Sequence, residues 1–231
     1  MQEKEKKKIL IIDDETDMLF VLSQVLMANG YDVSTASNAK DGLQLYESFC
    51  PDLILLDRIM PVRSGDDILK TIRKKDCKTP VIFLTAKDSS EDLLEGFGFG
   101  ANDYIRKPFM MKELLARCNA LISLSGQSTD HRILRIGKFS LDTLSNECQF
   151  EGQTVAMTNM EFSILALLVE NKNNEVSTER IIKSLWNDPD KSSTAKIQVY
   201  ICKLRKVIQK DPDVKLICLR SVGYKLVEMK R

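Results

Sequence analysis

The chain has 231 residues, 43% hydrophobic and 29% charged, with 34 Lys and Arg against 33 Asp and Glu and a net charge of +1. That length accommodates two cores of ordinary size, about 100–150 residues each, and the composition excludes collagen, coiled coil and wholesale disorder. No apolar run approaches the roughly 18–20 residues that span a bilayer. The charged start from Glu3 to Lys8 lacks the apolar stretch of a signal peptide, so the expected location is the cytoplasm, with no membrane partner.

In chain order, the first half alternates short apolar runs with amphipathic stretches. Lys8–Ile12, Asp32–Thr35, Leu53–Leu56, Pro80–Leu84 and Tyr104–Ile105 are too short for helices and rich in Ile, Leu and Val, which predicts strands. Helical patterns lie between them. The first covers Glu15–Ala28, with Met18, Leu19, Leu22, Val25 and Leu26 on one face and Gly30 just past its end. Asn38 and Gly65 open the next two, Ser89 or Ser90 a fourth, and Met110–Leu124 is a fifth. Strand–helix units whose strands lack strict alternation predict an α/β doubly wound, five-stranded parallel sheet covered on both faces. Ligands of such sheets sit at the carboxyl ends of the strands.

The polar, aperiodic stretch Ser125–Arg132 predicts a linker. The domains are then residues 1–124 and 132–231, with 125–131 between them. Leu134–Leu141 and Glu147–Ala156 alternate like antiparallel strands, with Glu151-Gly152 as a hairpin turn. Thr158 or Asn159 caps a helix with Phe162, Leu165, Leu168 and Val169 inward. Ser177 opens another that ends near Trp186, before the breaker Asp188-Pro189. A long helix covers Thr194–Gln209, and Leu216–Leu219 with Tyr224–Val227 close the chain as a hairpin around Ser221-Val222-Gly223. The second half is thus α+β.

The 6 cysteines form no C-x-x-C pair and read as reduced, mostly core residues. The 1 histidine, His131, lies in the polar linker, which argues against His-based zinc sites and Ser-His-Asp catalysis.

The strand ends carry chemistry. They are Asp13-Asp14, Asp57, Thr85-Ala86 and Lys107-Pro108. Carboxylates brought together repel, and a hard divalent cation such as Mg²⁺ relieves that repulsion. A carboxylate beside Mg²⁺ is a competent nucleophile toward phosphorus, and a lysine ammonium and a hydroxyl neutralise the transferring oxygens. Each residue alone has an ordinary reading: a helix cap for Asp13 or Asp14, a strand-end hydroxyl for Thr85, a solvated charge for Lys107. Their joint occurrence at successive strand ends carries the inference. Gly96-x-Gly98-x-x-Ala101 matches a dinucleotide fingerprint only as text, because it follows a helix and enters a strand.

Residues 7–124 resemble the receiver domain of bacterial two-component response regulators, a flavodoxin-like fold. The motifs are Ile11-Ile12-Asp13-Asp14-Glu15, Leu56-Asp57-Arg58-Ile59-Met60-Pro61 with Gly65, Leu84-Thr85-Ala86, and Gly100 to Phe109. The resemblance implies that Asp57 accepts a phosphoryl group from a sensor histidine kinase. It implies that Asp13, Asp14, Asp57 and the backbone carbonyl of Ile59 hold Mg²⁺, and that Thr85 and Lys107 bind phosphoryl oxygens. Tyr104 matches the aromatic that swings inward with Thr85 as the switch. Arg58, directly after Asp57, is unusual and is expected to tune phosphoryl lifetime.

The charge is uneven. Residues 132–231 hold 17 basic against 12 acidic residues, and residues 191–231 hold 11 against 3. On the long helix, Ile197, Ile201, Leu204 and Ile208 share a face, leaving Lys196, Lys203, Arg205, Lys206 and Lys210 for others. Such a helix suits a major groove, or simply a solvated face of a protein-binding domain. Residues 132–231 resemble the winged-helix effector of the OmpR/PhoB class on Thr158-x-x-Glu161-Phe162-x-Ile164-Leu165, Trp186, Val199-Tyr200-Ile201-x-Lys203-Leu204-Arg205-Lys206 and Leu219 to Tyr224. This implies that Thr194–Gln209 is a recognition helix on double-stranded DNA. Lys203 and Arg205 face the duplex, Lys196 and Lys206 contribute, and Arg220 is the wing arginine.

The chain departs from the class at Ala195, Gln198, Tyr200 and Cys202, so no relative's base preference transfers. On the expected homodimer face Asp103, Glu113 and Arg117 match, whereas Leu93 and Leu124 replace basic residues and Asn102 an acid. The expectation is therefore a phosphorylation-dependent transcription regulator, with RNA polymerase a further candidate partner. It is not an enzyme beyond assisting its own Mg²⁺-dependent phosphorylation and dephosphorylation. The rival readings are a phosphatase or phosphotransferase acting on outside substrates, and a constitutive DNA-binding protein.

Overall fold

The computed structural model describes residues 6–86, 98–124, 132–185 and 193–229. The chain divides into two compact units, Met1–Ile122 and Ser123–Arg231.

In the first unit, β1 (Lys8–Ile12), β2 (Asp32–Ala36), β3 (Leu53–Asp57), β4 (Val81–Thr85) and β5 (Asp103–Arg106) form a parallel sheet in the order β2-β1-β3-β4-β5. Ile9 to Ile12, Leu53 to Leu56, and Val81 to Leu84 are all buried. This is why these strands read as unbroken apolar runs. The helices α1 (Thr16–Ala28), α2 (Ala39–Phe49), α3 (Gly65–Arg73) and α4 (Met111–Leu124) connect or follow them. The Asn38 side chain caps α2 by accepting from the Asp41 N–H. The cap of α3 is Ser64 rather than Gly65, its side chain accepting from the Asp67 N–H. The strand order reverses between β1 and β3, the position where sheets of this kind open a crevice at their carboxyl ends.

In the second unit, β6 (Ile133–Ile136), β7 (Phe139–Asp142), β8 (Glu147–Phe150) and β9 (Gln153–Val155) form an antiparallel sheet in chain order. Then come α5 (Asn159–Glu170), β10 (Glu175–Ser177), α6 (Thr178–Leu185), α7 (Ser193–Ile208), β11 (Val214–Leu219) and β12 (Gly223–Glu228). The last sheet is ordered β10-β12-β11. Helices on a small sheet ending in a hairpin make this an α+β winged-helix domain. Thr158 and Glu161 close a capping box on α5, worth about 1 kcal/mol.

Two local expectations change. Leu134–Leu141 is not one strand but β6 and β7, separated by a turn at Gly137, whose φ is +51°. A Cβ there would lie 2.3 Å from Asp211 Oδ2. The short strand β10 was not anticipated, and it pairs with β12. The fourth helix predicted from Ser89 or Ser90, Leu93, His131, Trp186, the side chain of Leu124 and the linker 125–131 lie outside the described residues.

Candidate functional site

β1 and β3 end side by side at the crevice. Ligand oxygens of Asp13, Asp14 and Asp57 all lie within 4.8 Å of one another. Asp13 is fully buried and Asp57 nearly so, while Asp14 is exposed. Backbone donors fix two of them: the Glu15 N–H donates to Asp13 Oδ1 and the Ile59 N–H to Asp57 Oδ1, each at 2.9 Å. Hard oxygens so grouped fit an octahedral divalent cation.

Lys107 reaches this cluster from the end of β5. Its Nζ lies 2.8 Å from Asp13, 2.9 Å from Asp57 and 3.0 Å from Glu15. Burial pulls the Lys107 pKa down, but the hydrogen bonds to Asp13, Asp57 and Glu15 outweigh it and hold the ammonium charged. Burial pushes the Asp13 carboxyl up, against the opposing pull of Lys107. Sequence reasoning missed Glu15 as a partner of Lys107. Its only signal was a third acid adjoining Asp13-Asp14. Thr85 is fully buried at the end of β4, and Tyr104 packs half-buried against the sheet's core. The structure therefore brings Asp13, Asp14, Asp57 and Lys107 together, with Thr85 at the neighbouring strand end.

The loop after Asp57 is closed at its base. Arg58 is buried, its Nε donating to both Asp66 oxygens at 3.0 and 3.1 Å, and its guanidinium sits 5.8 Å from the Phe83 ring centroid. The Gly65 N–H donates to the Arg58 carbonyl at 3.0 Å. Between these ties, Ile59 and Val62 are exposed, and Val62 has φ +67°.

Of the expected dimer-face residues, Arg117 joins two others within one chain, bonding Asp103 at 2.7 Å and Glu113 at 2.9 Å. Asn102 is not a surface residue. It is 1% exposed, and its Oδ1 accepts from Arg73 at 3.1 Å and the Val81 N–H at 2.9 Å, fixing the start of β4 to α3.

On α7, Lys196 is 1% exposed, so the expectation that it meets DNA is corrected. Tyr200, also fully buried, widens the inward stripe formed by Ile197, Ile201, Leu204 and Ile208. Lys203 lies on the flank, its Nζ 3.1 Å from Glu161 in the α5 capping box. The outward stripe is Thr194, Gln198, Cys202, Lys206 and Gln209, with Arg205 half-buried beside it. Arg220 is exposed on the turn between β11 and β12. A groove of about 630 Å³ runs between α6, the outward stripe and this turn, lined by Thr178, Thr194, Gln198, Arg220 and Tyr224 among others.

Comparison with known proteins gives matches in both halves. The family described as "Response regulator receiver domain" matches residues 9–119, and "Transcriptional regulatory protein, C terminal" matches residues 152–226. The transcriptional regulatory protein RprY of Bacteroides fragilis is 32% identical over 225 residues, covering 96% of this chain and 95% of its own. DltR of Streptococcus agalactiae is 33% identical, covering 96% and 99%. Among solved structures, DrrB of Thermotoga maritima, described as an OmpR/PhoB homolog, is similar at TM-score 0.53 and 29% identity, covering 96% of this chain and 100% of its own. A variant of RitR is similar at TM-score 0.74 and 25% identity, covering 96% and 99%.

Proposed function

The chain belongs to the two-component response regulators that join a receiver to an OmpR/PhoB-type DNA-binding domain and regulate transcription; on that footing we propose that Asp57 is its phosphoacceptor. The observation that carries this reading is the Lys107 ammonium held at once by Asp13 and Asp57, with Asp14 alongside. We place the domains at 1–124 and 132–231, with the linker at 125–131, and the protein in the cytoplasm. No helix among the described residues is long and apolar enough to cross a membrane.

Asp13, Asp14, Asp57 and the Ile59 carbonyl would hold Mg²⁺, which when bound supplies positive charge to the transferring oxygens. The Ile59 N–H holds Asp57 Oδ1, and an Asp57 oxygen attacks the phosphorus of a kinase phosphohistidine. The P–N bond breaks, and its electron pair leaves on the imidazole nitrogen. Lys107, already 2.9 Å from Asp57 Oδ2, takes one phosphoryl oxygen, and the Thr85 hydroxyl takes another. Withdrawal of Thr85 toward the phosphoryl group leaves room for Tyr104 to turn inward. The response is a change in the β5–α4 surface, where Arg117 bonds the exposed Glu113 and the buried Asp103, which lies beneath the surface rather than on it as expected. The receiver acts on its own phosphorylation and dephosphorylation and on no outside substrate.

That surface would pair two receivers and set two winged helices on repeated half-sites. Linkage then raises DNA affinity without any new DNA contact. Arg205, Lys206 and Arg220 would meet the duplex, and the bound dimer would present itself to RNA polymerase. The test measures DNA affinity of the full chain with Mg²⁺, with and without beryllofluoride. Affinity should rise, and Asp57→Ala should abolish the rise. Equal affinities in all arms would leave a constitutive DNA-binding protein.

A further inference from the structure

The stripe that α7 turns outward differs from the one its lysines suggested. Lys196 is 1% exposed and Lys203 is held by Glu161, so two of the helix's four basic residues are directed elsewhere. Among the described side chains, those the helix turns outward ahead of Arg205 are neutral: Thr194, Gln198 and Cys202, four residues apart. The cationic residues Arg205 and Lys206 follow one turn later. Recognition helices touch base edges with their N-terminal residues. The lysine and arginine contacts near the helix end suit phosphates, which position the protein but carry no sequence.

Gln198 is exposed and lines the groove between this helix and the Arg220 turn. A carboxamide has one acceptor and two donors in a fixed plane. In the major groove that pattern fits the N6 donor and N7 acceptor of adenine, and no other single base edge as well. Thr194 is a hydroxyl that suits any base, and Cys202 is a weak donor, so neither competes as a discriminating group. Gln209 has the same amide but follows the last residue of α7, beyond the base-reading end.

We propose that Gln198 is the specificity-determining residue of the helix and reads one adenine in each half-site. This rests on the DNA-binding reading above.

The experiment selects bound duplexes from a randomised pool with the full chain, Mg²⁺ and beryllofluoride. It compares the unaltered protein with Gln198→Ala, Gln198→Glu and Lys206→Ala. The unaltered protein should enrich adenine at one position per half-site. Gln198→Ala should lose that preference by about tenfold. Gln198→Glu, an acceptor without donors, should move it to cytosine, whose N4 donates. Lys206→Ala should bind more weakly to every sequence with the preference intact. A preference that is the same in both Gln198 variants, or a selected site without adenine, overturns the proposal while leaving DNA binding in place. Failure of the unaltered protein to retain any duplex overturns the DNA-binding reading itself. Because Gln198 is exposed, neither substitution removes a core contact.

Discussion

Gly65 has no room for a side chain. A Cβ built on it would lie 2.2 Å from the Asp57 carbonyl oxygen and 2.9 Å from the Arg58 Cα, backbone atoms at the end of β3 and just past it. Backbone cannot swing aside as a flexible side chain can, so either β3 or the start of α3 must move. Gly65→Ala is therefore expected to cost about 2–3 kcal/mol and to slow Asp57 phosphorylation by a small phosphodonor. Urea unfolding and the rate of acyl phosphate formation check the two effects. A variant as stable and as fast as the unaltered protein would show that the close approach is not maintained in solution. The same scale explains what a residue-by-residue reading sees poorly. Asn102 and Lys196 are polar letters in amphipathic or loop contexts, and their 1% exposure comes from neighbours distant in sequence. For Asn102 those neighbours are Arg73 and Val81.

At the scale of elements, the β3–α3 connection depends on the Arg58–Asp66 pair. Arg58 is 3% exposed and Asp66 19%, so the pair is largely withdrawn from water, and removing Asp66 takes a carboxylate away from a buried guanidinium. Asp66→Ala should destabilise the receiver by about 2–4 kcal/mol. It should also loosen the loop bearing the Ile59 carbonyl, weakening Mg²⁺ binding measured by titration. A lower melting temperature with unchanged Mg²⁺ affinity would confine the pair to stability. In the other unit, Glu228 on β12 joins three segments: its Oε1 accepts the Gly137 N–H at 2.8 Å and its Oε2 meets Lys172 at 3.0 Å. The Gly137 N–H, then Lys172, lowers its pKa from 4.5. A depressed carboxyl stabilises fully above its unfolded pKa, and that contribution fades as pH falls through the folded value. Unfolding of Glu228→Gln should thus be easier than that of the unaltered protein at pH 7, and the gap should narrow as pH falls below the ordinary carboxylate range. A gap constant across that range would assign the effect to packing. Elements with strong periods were legible in the sequence: the receiver strands appear within one or two residues of their predicted bounds. β10 was not legible, because three residues (Glu175, Val176 and Ser177) hold no period and form a strand only by pairing with β12. The β6–β7 turn did have a signal, Gly137, but the alternation on both sides hid it.

At the scale of the molecule, the acidic cluster and the basic tail lie in separate units, and each half was readable for a different reason. Strand ends of a parallel sheet converge by topology, so Asp13, Asp57 and Lys107 could be placed together without coordinates. Nothing comparable fixes the rotation of a helix buried on several sides. Counting lysines on α7 gave its sign of charge but not its direction. The consequence is measurable through counterion release, because each phosphate contact steepens the fall of log affinity with log salt. Lys206→Ala and Arg220→Ala, both at exposed positions, should each reduce that slope by about 1. Lys196→Met should leave the slope unchanged, since an ammonium inside the domain neutralises no phosphate. Its effect should instead appear in the unfolding midpoint, where removing a buried polar group's interactions registers. A slope reduced as much by Lys196→Met as by Lys206→Ala would mean that α7 rotates on binding DNA and that the buried lysine emerges. In that event the outward stripe, Gln198 included, would no longer define the reading face.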